Sequence, residues 1–244
     1  MRAWIKSALR KSINRKALYS GYTPNKNNHP IKSHFILMEL NLVEEGKKGT
    51  TTIGLLCTDG VILASEKRAS MGNLIANKEA DKVLKIQDHL GITIAGSVGD
   101  AQTIARIMRA QTASYEIQRG RKITIDGAGT LLANILQQSK YFPYFIQLLM
   151  GGYDSKPRLY SLDLTGSFME EKFVSTGSGS PTAYGVLEDK YKENKTVKEN
   201  LPIAIRALKA AMERDIYSGN GLNIVVIDKK GFHKLSEKEL TEYA

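Results

Sequence analysis

The chain has 244 residues, of which 42% are hydrophobic and 25% charged, proportions that are ordinary for a domain able to bury its own core. Its single cysteine, Cys57, excludes a disulfide within the chain, and its four histidines are scattered, which argues against a structural zinc site. No apolar run approaches the roughly 18–20 residues of a membrane-spanning helix.

The net charge of +10 is concentrated in the N-terminal segment. Residues 1–49 hold 10 Lys and Arg against 3 Asp and Glu, which gives +7, whereas residues 50–244 hold 25 against 22, which gives +3. Because the basic charge belongs to this segment and not to a folded face, a nucleic-acid-binding function is disfavoured.

The first 37 residues contain no acidic residue and eight basic ones, with apolar residues at near-helical spacing. This composition is typical of an organellar transit peptide. The alternatives are a poorly ordered extension or sequence upstream of a true start at Met38, and we favour these two over targeting.

The predicted elements alternate between groups of strands and groups of helices. Strands Thr50–Cys57 and Val61–Glu66 meet at Asp59-Gly60, and a second hairpin joins Lys82–Ile86 to Ile92–Gly96. Apolar periodicity then predicts helices over 101–118 and 128–141, strands over 147–151, 158–164 and 168–174, helices over 180–191 and 197–214, and a closing hairpin over 222–227 and 232–235. The last long helix opens with a capping box, Thr196-x-x-Glu199.

This order of elements predicts the fold class. Strands do not alternate singly with helices, so a doubly wound parallel sheet is disfavoured. Two antiparallel sheets packed face to face, with a helix pair on each outer side, would bury every apolar face. We therefore expect an α+β fold, a four-layer αββα sandwich.

The two hairpins predict which residues lie side by side. If Asp59-Gly60 is the tight turn, the numbers of paired residues sum to about 119, which places Thr50 beside Ala69 and near Glu66. If the second turn is centred on residues 88–91, the sum is about 179, which places Lys82 opposite Ser97 and next to Gly96.

Two polar segments have competing interpretations. Asp215 ends the last long helix, where the helix dipole disfavours a negative charge; this points weakly to function, and an ordinary polar loop is simpler. The run from Thr176 to Pro181 precedes a helix and could hold a phosphate, but it lacks the spacing of known phosphate loops. Capping by Ser180, with Pro181 in the first turn, is the simpler interpretation.

A set of motifs begins at Gly49-Thr50-Thr51-Thr52 and includes Lys82 and the segments 66–73, 95–102, 177–181, 184–188 and 214–219. This set, in order and without obvious gaps, resembles proteasome β subunits, most closely the archaeal type, which are N-terminal-nucleophile hydrolases. The resemblance covers essentially all of residues 50–244. The family fold is the αββα sandwich.

The resemblance implies that the subunit cuts its own chain between Gly49 and Thr50, so that residues 1–49 are a removed leader and residues 50–244 form the peptidase domain. A threonine hydroxyl is a weak nucleophile, and the α-amino group freed at Thr50 can serve as its base, with an ordinary pKa of about 7.7–8.0. An uncut chain is therefore expected to be inactive toward other peptides.

The remaining roles are implied by position in the same resemblance. Lys82 is expected to act as an ammonium near the Thr50 amine and hydroxyl, oriented by Glu66, and Gly96 to offer its backbone N–H to the oxyanion. The residues that would surround the threonine amine are Ser178, Asp215 and Ser218. The backbone of Ser70 would line the bound peptide as an added strand. The pocket for the residue before the cut would be uncharged, which implies cleavage after large apolar residues, and its members would be Ala69, Ala80, Leu84, Ile94 and Val98.

The resemblance also implies partners and a location. We expect cytoplasmic rings of seven β subunits stacked on rings of α subunits, with a regulatory ATPase acting through the α ring and unfolded polypeptides as substrates. No cofactor, metal, nucleic acid or membrane is expected.

Alternative interpretations of the same residues stay open. Without the family, Thr50–Thr52 are ordinary strand residues, and Lys82 with Glu66 is a surface ion pair worth less than about 1 kcal/mol. The chain could be a non-catalytic ring subunit, although inactive β subunits usually lose the threonine or the lysine. It could also be the related bacterial two-ring peptidase, although Gly-Ser-Gly-Ser-Pro and Ser-Met-Gly-Asn suit the archaeal type better.

Overall fold

Runs of β-branched and aliphatic residues form two five-stranded antiparallel sheets that pack face to face. The structure, a computed structural model, describes residues 49–72 and 74–243. One pair of helices packs on the outer face of each sheet. The predicted αββα sandwich is confirmed.

The first sheet has the strand order β10-β1-β2-β11-β12. Its strands are β1 (Thr52–Leu56), β2 (Gly60–Glu66), β10 (Phe173–Thr176), β11 (Leu222–Asp228) and β12 (Gly231–Lys234). Strand β2 is buried along its whole length, because Ile62 and Ala64 face the helices while Val61 and Leu63 face the other sheet. Burial on both faces explains why this strand reads as a continuous apolar run.

The second sheet has the order β5-β6-β7-β8-β9, and a separate two-stranded sheet pairs β3 with β4. The bounds are β3 (Ala69–Met71), β4 (Leu74–Asn77), β5 (Val83–Gln87), β6 (Leu90–Gly96), β7 (Ile146–Tyr153), β8 (Pro157–Leu162) and β9 (Phe168–Glu170). The sequence did not predict β3 and β4, because neither has a buried face and so neither shows apolar alternation.

In the described part of the chain four long helices cover the sheets, and polar side chains cap three of them. Helices α1 (Val98–Arg119) and α2 (Ile125–Gln138) pack on the second sheet, α3 (Ser180–Lys190) and α4 (Val197–Arg214) pack on the first, and a short α5 (Glu237–Thr241) follows β12. Side chains of Ser97 and Thr124 cap α1 and α2, and the predicted capping box of Thr196 and Glu199 is confirmed. The predicted capping of α3 by Ser180 is wrong, because Gly179 occupies the N-cap position without a side-chain bond.

Both predicted hairpins exist, but both predicted registers are wrong. Paired residues of β1 and β2 sum to 117, as in Leu56 with Val61, because Thr58 and Asp59 are the central turn residues and Gly60 already belongs to β2. Thr50 therefore does not pair with Ala69; instead Glu66 N–H donates to the Thr51 carbonyl. A glycine in a turn signal need not occupy a central position of the turn.

The second hairpin turns at Asp88 and His89, and a bulge between Lys85 and Gln87 shifts the register further. The Ile94 N–H donates to the carbonyl of Lys82 at 2.9 Å, so Lys82 lies opposite Ile94 and not opposite Ser97. Gly96 is two residues beyond that position. A bulge inserts one unpaired residue and leaves no clear sign in the sequence.

The predicted strand over 168–174 consists of two strands in different sheets. Strand β9 ends at Glu170 at the edge of the second sheet, and β10 begins at Phe173 at the edge of the first. The chain crosses between the sheets within two residues, and apolar periodicity alone cannot reveal such a crossing.

The predictions for residues 1–48 fall outside the described residues. Among residues 49–72 and 74–243, no helix is both long and apolar enough to cross a membrane.

Candidate active site

Thr50 lies just before β1. At this end of the strand, Thr52 pairs with Thr176 of β10 and with Ser65 of β2. The three threonines at positions 50, 51 and 52 are almost completely buried, with exposures of 5%, 0% and 0%. The backbone N–H of Thr50 donates to Ser178 Oγ at 3.1 Å. Thr50 is therefore held by the loop between β10 and α3, 128 positions away in the chain.

The hydroxyl of Ser178 connects Thr50 to Asp215. It donates to Asp215 Oδ2 at 2.6 Å while its oxygen accepts from the Thr50 N–H. Asp215 is the C-cap of α4, where the sequence raised a polar loop as the simpler interpretation. Its carboxylate is instead the acceptor at which this hydrogen-bond chain ends, and the bonds that it accepts offset the unfavourable helix dipole.

Ser218 forms a second chain that ends at the same oxygen. Its hydroxyl donates to Asp215 Oδ2 at 2.6 Å, so its oxygen is left to accept from the hydroxyl of Thr51 at 2.7 Å. A carboxylate oxygen accepts two such bonds readily. Asp215 thus fixes two hydroxyl groups, one against the nitrogen of residue 50 and one against the side chain of residue 51.

A buried ion pair lies on the other side of Thr51. The Lys82 ammonium donates to Glu66 Oε1 and to the Arg68 carbonyl, and the two charged side chains are 9% and 0% exposed. The backbone N–H of Thr51 donates to the same Glu66 Oε1 at 3.2 Å. Without the family resemblance, the sequence allowed an ordinary surface ion pair here. The burial of both side chains excludes that interpretation.

Electrostatics at Lys82 follow from this burial. Loss of solvent lowers the pKa of the Lys82 ammonium, and the nearby charge of Glu66 and the hydrogen bond to it oppose that shift. The second Glu66 oxygen accepts from the backbone N–H groups of Arg68 at 2.6 Å and Gly219 at 3.1 Å. The carboxylate is therefore fixed in place by groups other than the lysine.

Gly96 ends β6 in a conformation that requires glycine. Its φ is +122°, and a Cβ there would lie 2.2 Å from the carbonyl oxygen of Phe145. Strand β6 approaches β1 where the Thr93 hydroxyl donates to Thr52 Oγ1 at 3.0 Å. Gly96 lies three residues beyond Thr93, next to the Ser97 cap of α1.

The predicted substrate-binding residues differ in their surroundings. Ser70 is half-buried in β3. Ala80 N–H donates to the Lys67 carbonyl, which places Ala80 beside the residues that lead into Ala69 at the start of β3. Leu84 packs on the core cluster that contains Ile94. Val98, the first residue of α1, is 58% exposed. The five pocket candidates thus lie on four different elements (β3, β5, β6 and α1) and the loop before β5.

Three participating residues were not singled out from the sequence. Thr51 joins the Glu66 side of the site to the Ser218 side, and Arg68 contacts both Lys82 and Glu66 through its backbone. Tyr217 covers Gly49: a Cβ on Gly49 would lie 1.5 Å from the Tyr217 Cβ. For Thr51 and Arg68 the only signal was their place beside Thr50 and Glu66.

Comparison with known proteins gives consistent matches. The family described as "Proteasome subunit" matches residues 46–227. The chain is 54% identical over 198 residues to a protein named "Proteasome subunit beta" of Methanocaldococcus vulcanius, covering 80% of this chain and 89% of the relative. It is 52% identical over 195 residues to the protein of that name in Methanothermobacter thermautotrophicus, covering 79% and 93%.

Proposed function

Since this chain belongs to the proteasome subunit family, as a β-type subunit, we propose that it is a threonine endopeptidase whose nucleophile is Thr50. The single observation that carries the proposal is the convergence of two polar groups on residues 50 and 51. One is the Asp215 carboxylate with the hydroxyls of Ser178 and Ser218, and the other is the Lys82–Glu66 pair. The Lys82–Glu66 pair is buried, and an ion pair is costly to bury without a role.

Activation would begin with cleavage of the Gly49–Thr50 bond. The Thr50 hydroxyl oxygen attacks the Gly49 carbonyl carbon, the acyl group moves from nitrogen to oxygen, and water hydrolyses the resulting ester. The products are a leader that ends in a carboxylate at Gly49 and a free α-amine at Thr50. The Ser178 oxygen accepts from the nitrogen of residue 50 in the uncut chain, and we expect it to accept from the free amine after cleavage.

Peptide hydrolysis would use the same oxygen. The neutral amine takes the proton of the Thr50 hydroxyl as its oxygen attacks the scissile carbonyl, and the Gly96 N–H donates to the developing oxyanion. The amine then gives its proton to the leaving nitrogen, and water releases the acyl group. The Lys82 ammonium favours both the neutral amine and a negatively charged oxygen, since a second positive charge nearby is disfavoured.

The supporting residues would divide into two groups. Ser178, Asp215 and Ser218 hold the amine and its surroundings, while Glu66 keeps Lys82 charged and oriented. Because Ser178 contacts the nitrogen of residue 50 and Glu66 contacts the nitrogen of residue 51, the two groups would orient the amine and the hydroxyl separately. The Ser70 backbone would bind substrate as an added strand, and the apolar pocket of Ala69, Ala80, Leu84, Ile94 and Val98 would favour cleavage after large apolar residues.

A proteasome subunit assembles with other proteasome subunits. For this chain we propose cytoplasmic rings of seven β subunits on α-subunit rings, with a regulatory ATPase delivering unfolded polypeptides through the α ring. Residues 1–49 would be the leader lost during assembly, whichever origin residues 1–37 have.

The test is the intact mass of the β chain in the assembled particle, together with hydrolysis of a fluorogenic peptide that carries an apolar residue before the cut. We expect a chain that begins at Thr50. Thr50→Ala should keep residue 49 attached and abolish hydrolysis, while Thr50→Ser should be processed and retain activity. An active particle whose β chains all keep residue 49, or full activity of Thr50→Ala, refutes the proposal. An assembled, correctly cut and inactive particle identifies a structural ring subunit.

A further inference from the structure

The side chain of Arg68 crosses from the Glu66 segment to the loop that follows α4. Its Nε donates to Asn220 Oδ1 at 2.7 Å, and its Nη1 donates to the Ile216 carbonyl at 2.7 Å. We propose that Arg68 is a positioning residue, whose guanidinium docks the 216–221 loop so that Asp215 and Ser218 are held in register with Lys82 and Glu66. The inference rests on the proposed function.

The backbone of Arg68 belongs to the ion-pair side of the site. Its N–H donates to Glu66 Oε2 at 2.6 Å, and its carbonyl accepts from the Lys82 ammonium. Any movement of this residue therefore moves two partners of the buried pair. The guanidinium of the same residue binds the 216–221 loop, which contains Ser218 and follows Asp215. One residue therefore contacts both of the groups that converge on Thr50 and Thr51.

The loop is shaped to receive this side chain. Asn220 has a left-handed backbone with φ of +65°, which asparagine tolerates better than most residues, and its side-chain oxygen is the acceptor for Arg68 Nε. The guanidinium lies directly against Gly219, where a Cβ would be 2.4 Å from Nη2. A side chain at position 219 would displace the guanidinium, so both loop residues fit an arginine at position 68.

Backbone bonds dock the same loop beside the guanidinium. Lys67 N–H lies 3.1 Å from both the Gly219 and Gly221 carbonyls, and Gly219 N–H donates to Glu66 Oε2. These bonds fix the middle and end of the loop. The guanidinium adds the Ile216 carbonyl, which immediately follows Asp215, and thereby fixes the start.

Arginine suits this position for a geometric reason. The planar guanidinium presents several N–H donors in a fixed fork, so it can bind two acceptors at once while its plane rests on a glycine. A lysine has one rotatable ammonium on a flexible stem and cannot reproduce both bonds in the same geometry. Arg68→Lys therefore keeps the positive charge and removes the two-donor geometry, so the two contributions can be measured separately.

The test compares Arg68→Met, Arg68→Lys and two variants of Asn220 in the assembled, processed particle. Asn220→Gly removes the acceptor and keeps the left-handed backbone, whereas Asn220→Asp keeps an acceptor. Lys67→Met is the matched control, because it removes a neighbouring cation that pairs with exposed Glu237. We measure kcat and KM for the peptide, the extent of cleavage before residue 50, and the thermal melting of each particle.

We expect Arg68→Met to lower kcat on the order of 10- to 100-fold with KM nearly unchanged, as for a displaced positioning group. Arg68→Lys should recover only part of this loss, Asn220→Gly should lower kcat, and Asn220→Asp should retain it. In the double variant Arg68→Met with Asn220→Gly, the two losses should not multiply, because both break the same bond.

The inference is overturned if Arg68→Met keeps the kcat of Lys67→Met, if Arg68→Lys is fully active, or if the two losses multiply. If Arg68→Met fails to assemble, Arg68→Lys and the two Asn220 variants decide by the same criteria. Failure of the proposed function is separate: it would show as undiminished activity of Thr50→Ala, whatever the Arg68 variants do.

Discussion

Lys82 and Glu66, sixteen residues apart in the sequence, form an ion pair in which both side chains are almost completely buried. The two partners are not equivalent. Glu66 also accepts from three backbone N–H groups, those of Thr51, Arg68 and Gly219, whereas Lys82 has one further acceptor, the Arg68 carbonyl. Removing the lysine should therefore cost less stability than removing the carboxylate, because the backbone donors still bind the carboxylate.

This asymmetry predicts that Glu66→Gln destabilises the protein more than Lys82→Met. Leaving a buried charge without its partner costs about 3–5 kcal/mol, which corresponds to a fall in melting temperature on the order of 10 °C. Lys82→Met should cause a smaller fall, because the backbone donors still satisfy Glu66. Calorimetry of the two variants in the same assembled state measures the difference, and the reverse order would contradict the prediction.

Glycine is predicted to be required at position 49. Gly49→Ala places a Cβ 1.5 Å from the Tyr217 Cβ, so the chain must shift at the bond to be cut, and we expect uncut chain in the intact-mass spectrum. Because the overlap begins at the tyrosine Cβ, adding Tyr217→Ala should not restore cleavage, whereas adding Tyr217→Gly should restore part of it. Normal cleavage of Gly49→Ala alone would show that Tyr217 imposes no such limit.

The pH dependence of kcat/KM should have an acid and an alkaline limb. Activity should rise with pH as the Thr50 amine becomes neutral, and the nearby Lys82 ammonium should place this rise below the ordinary α-amine pKa of about 7.7–8.0. It should fall again as Lys82 loses its proton. Because burial lowers the pKa of Lys82, this fall should occur at lower pH than the ordinary lysine value of about 10.4. A profile that stays flat to pH 10.5 would exclude a required Lys82 ammonium.

Asp215→Asn is predicted to lower turnover on the order of 100-fold while leaving KM nearly unchanged. The residue positions two hydroxyl groups through one oxygen, and an amide there lacks the negative charge that strengthens both bonds. Its NH2 group would also face the Tyr217 N–H, which donates to the other carboxylate oxygen. Asp154→Asn is the matched control. Asp154 binds the N–H of Ile125 at the start of α2, away from Thr50, so its replacement should leave turnover intact. Equal kcat values for the two variants would remove the role given to Asp215.

Asp154 itself should contribute stability that depends on pH. Partial burial would raise the pKa of this carboxyl, but backbone N–H bonds from Ile125, Ser155 and Lys156 outweigh burial and hold the pKa below its usual range. A lowered pKa means that the contribution is fully present above the ordinary value of about 3.9 and is lost as the pH falls through the lower folded value. The difference in melting temperature between the native chain and Asp154→Asn should therefore be largest near neutral pH and shrink in acid. A difference that grows in acid would contradict this.

The strongly periodic elements were predictable because their buried face requires an apolar residue in every helical turn or at every second strand position. Helix α4 was predicted to the residue, since the capping box at Thr196 and Glu199 marks its start and apolar positions repeat along one face. The hairpins were predicted as pairs, but their registers were not. The register of a hairpin depends on which residues form the turn and on whether a bulge is present. An error of one residue in the turn shifts every pair along the two strands.

The residues at Thr50, Glu66, Lys82, Gly96 and Asp215 were named from a resemblance to a known family, and their chemical types alone did not select them. Read alone, Asp215 was an unfavourable helix end and Lys82 an ordinary surface cation. The sequence by itself determined which stretches are buried, and hence the four layers, because apolar periodicity is a local property of the chain. Only the tertiary structure decided that Ser178, Ser218 and Arg68 surround the start of β1, because hydrogen bonds across more than a hundred residues depend on how the sheets pack and not on any local pattern.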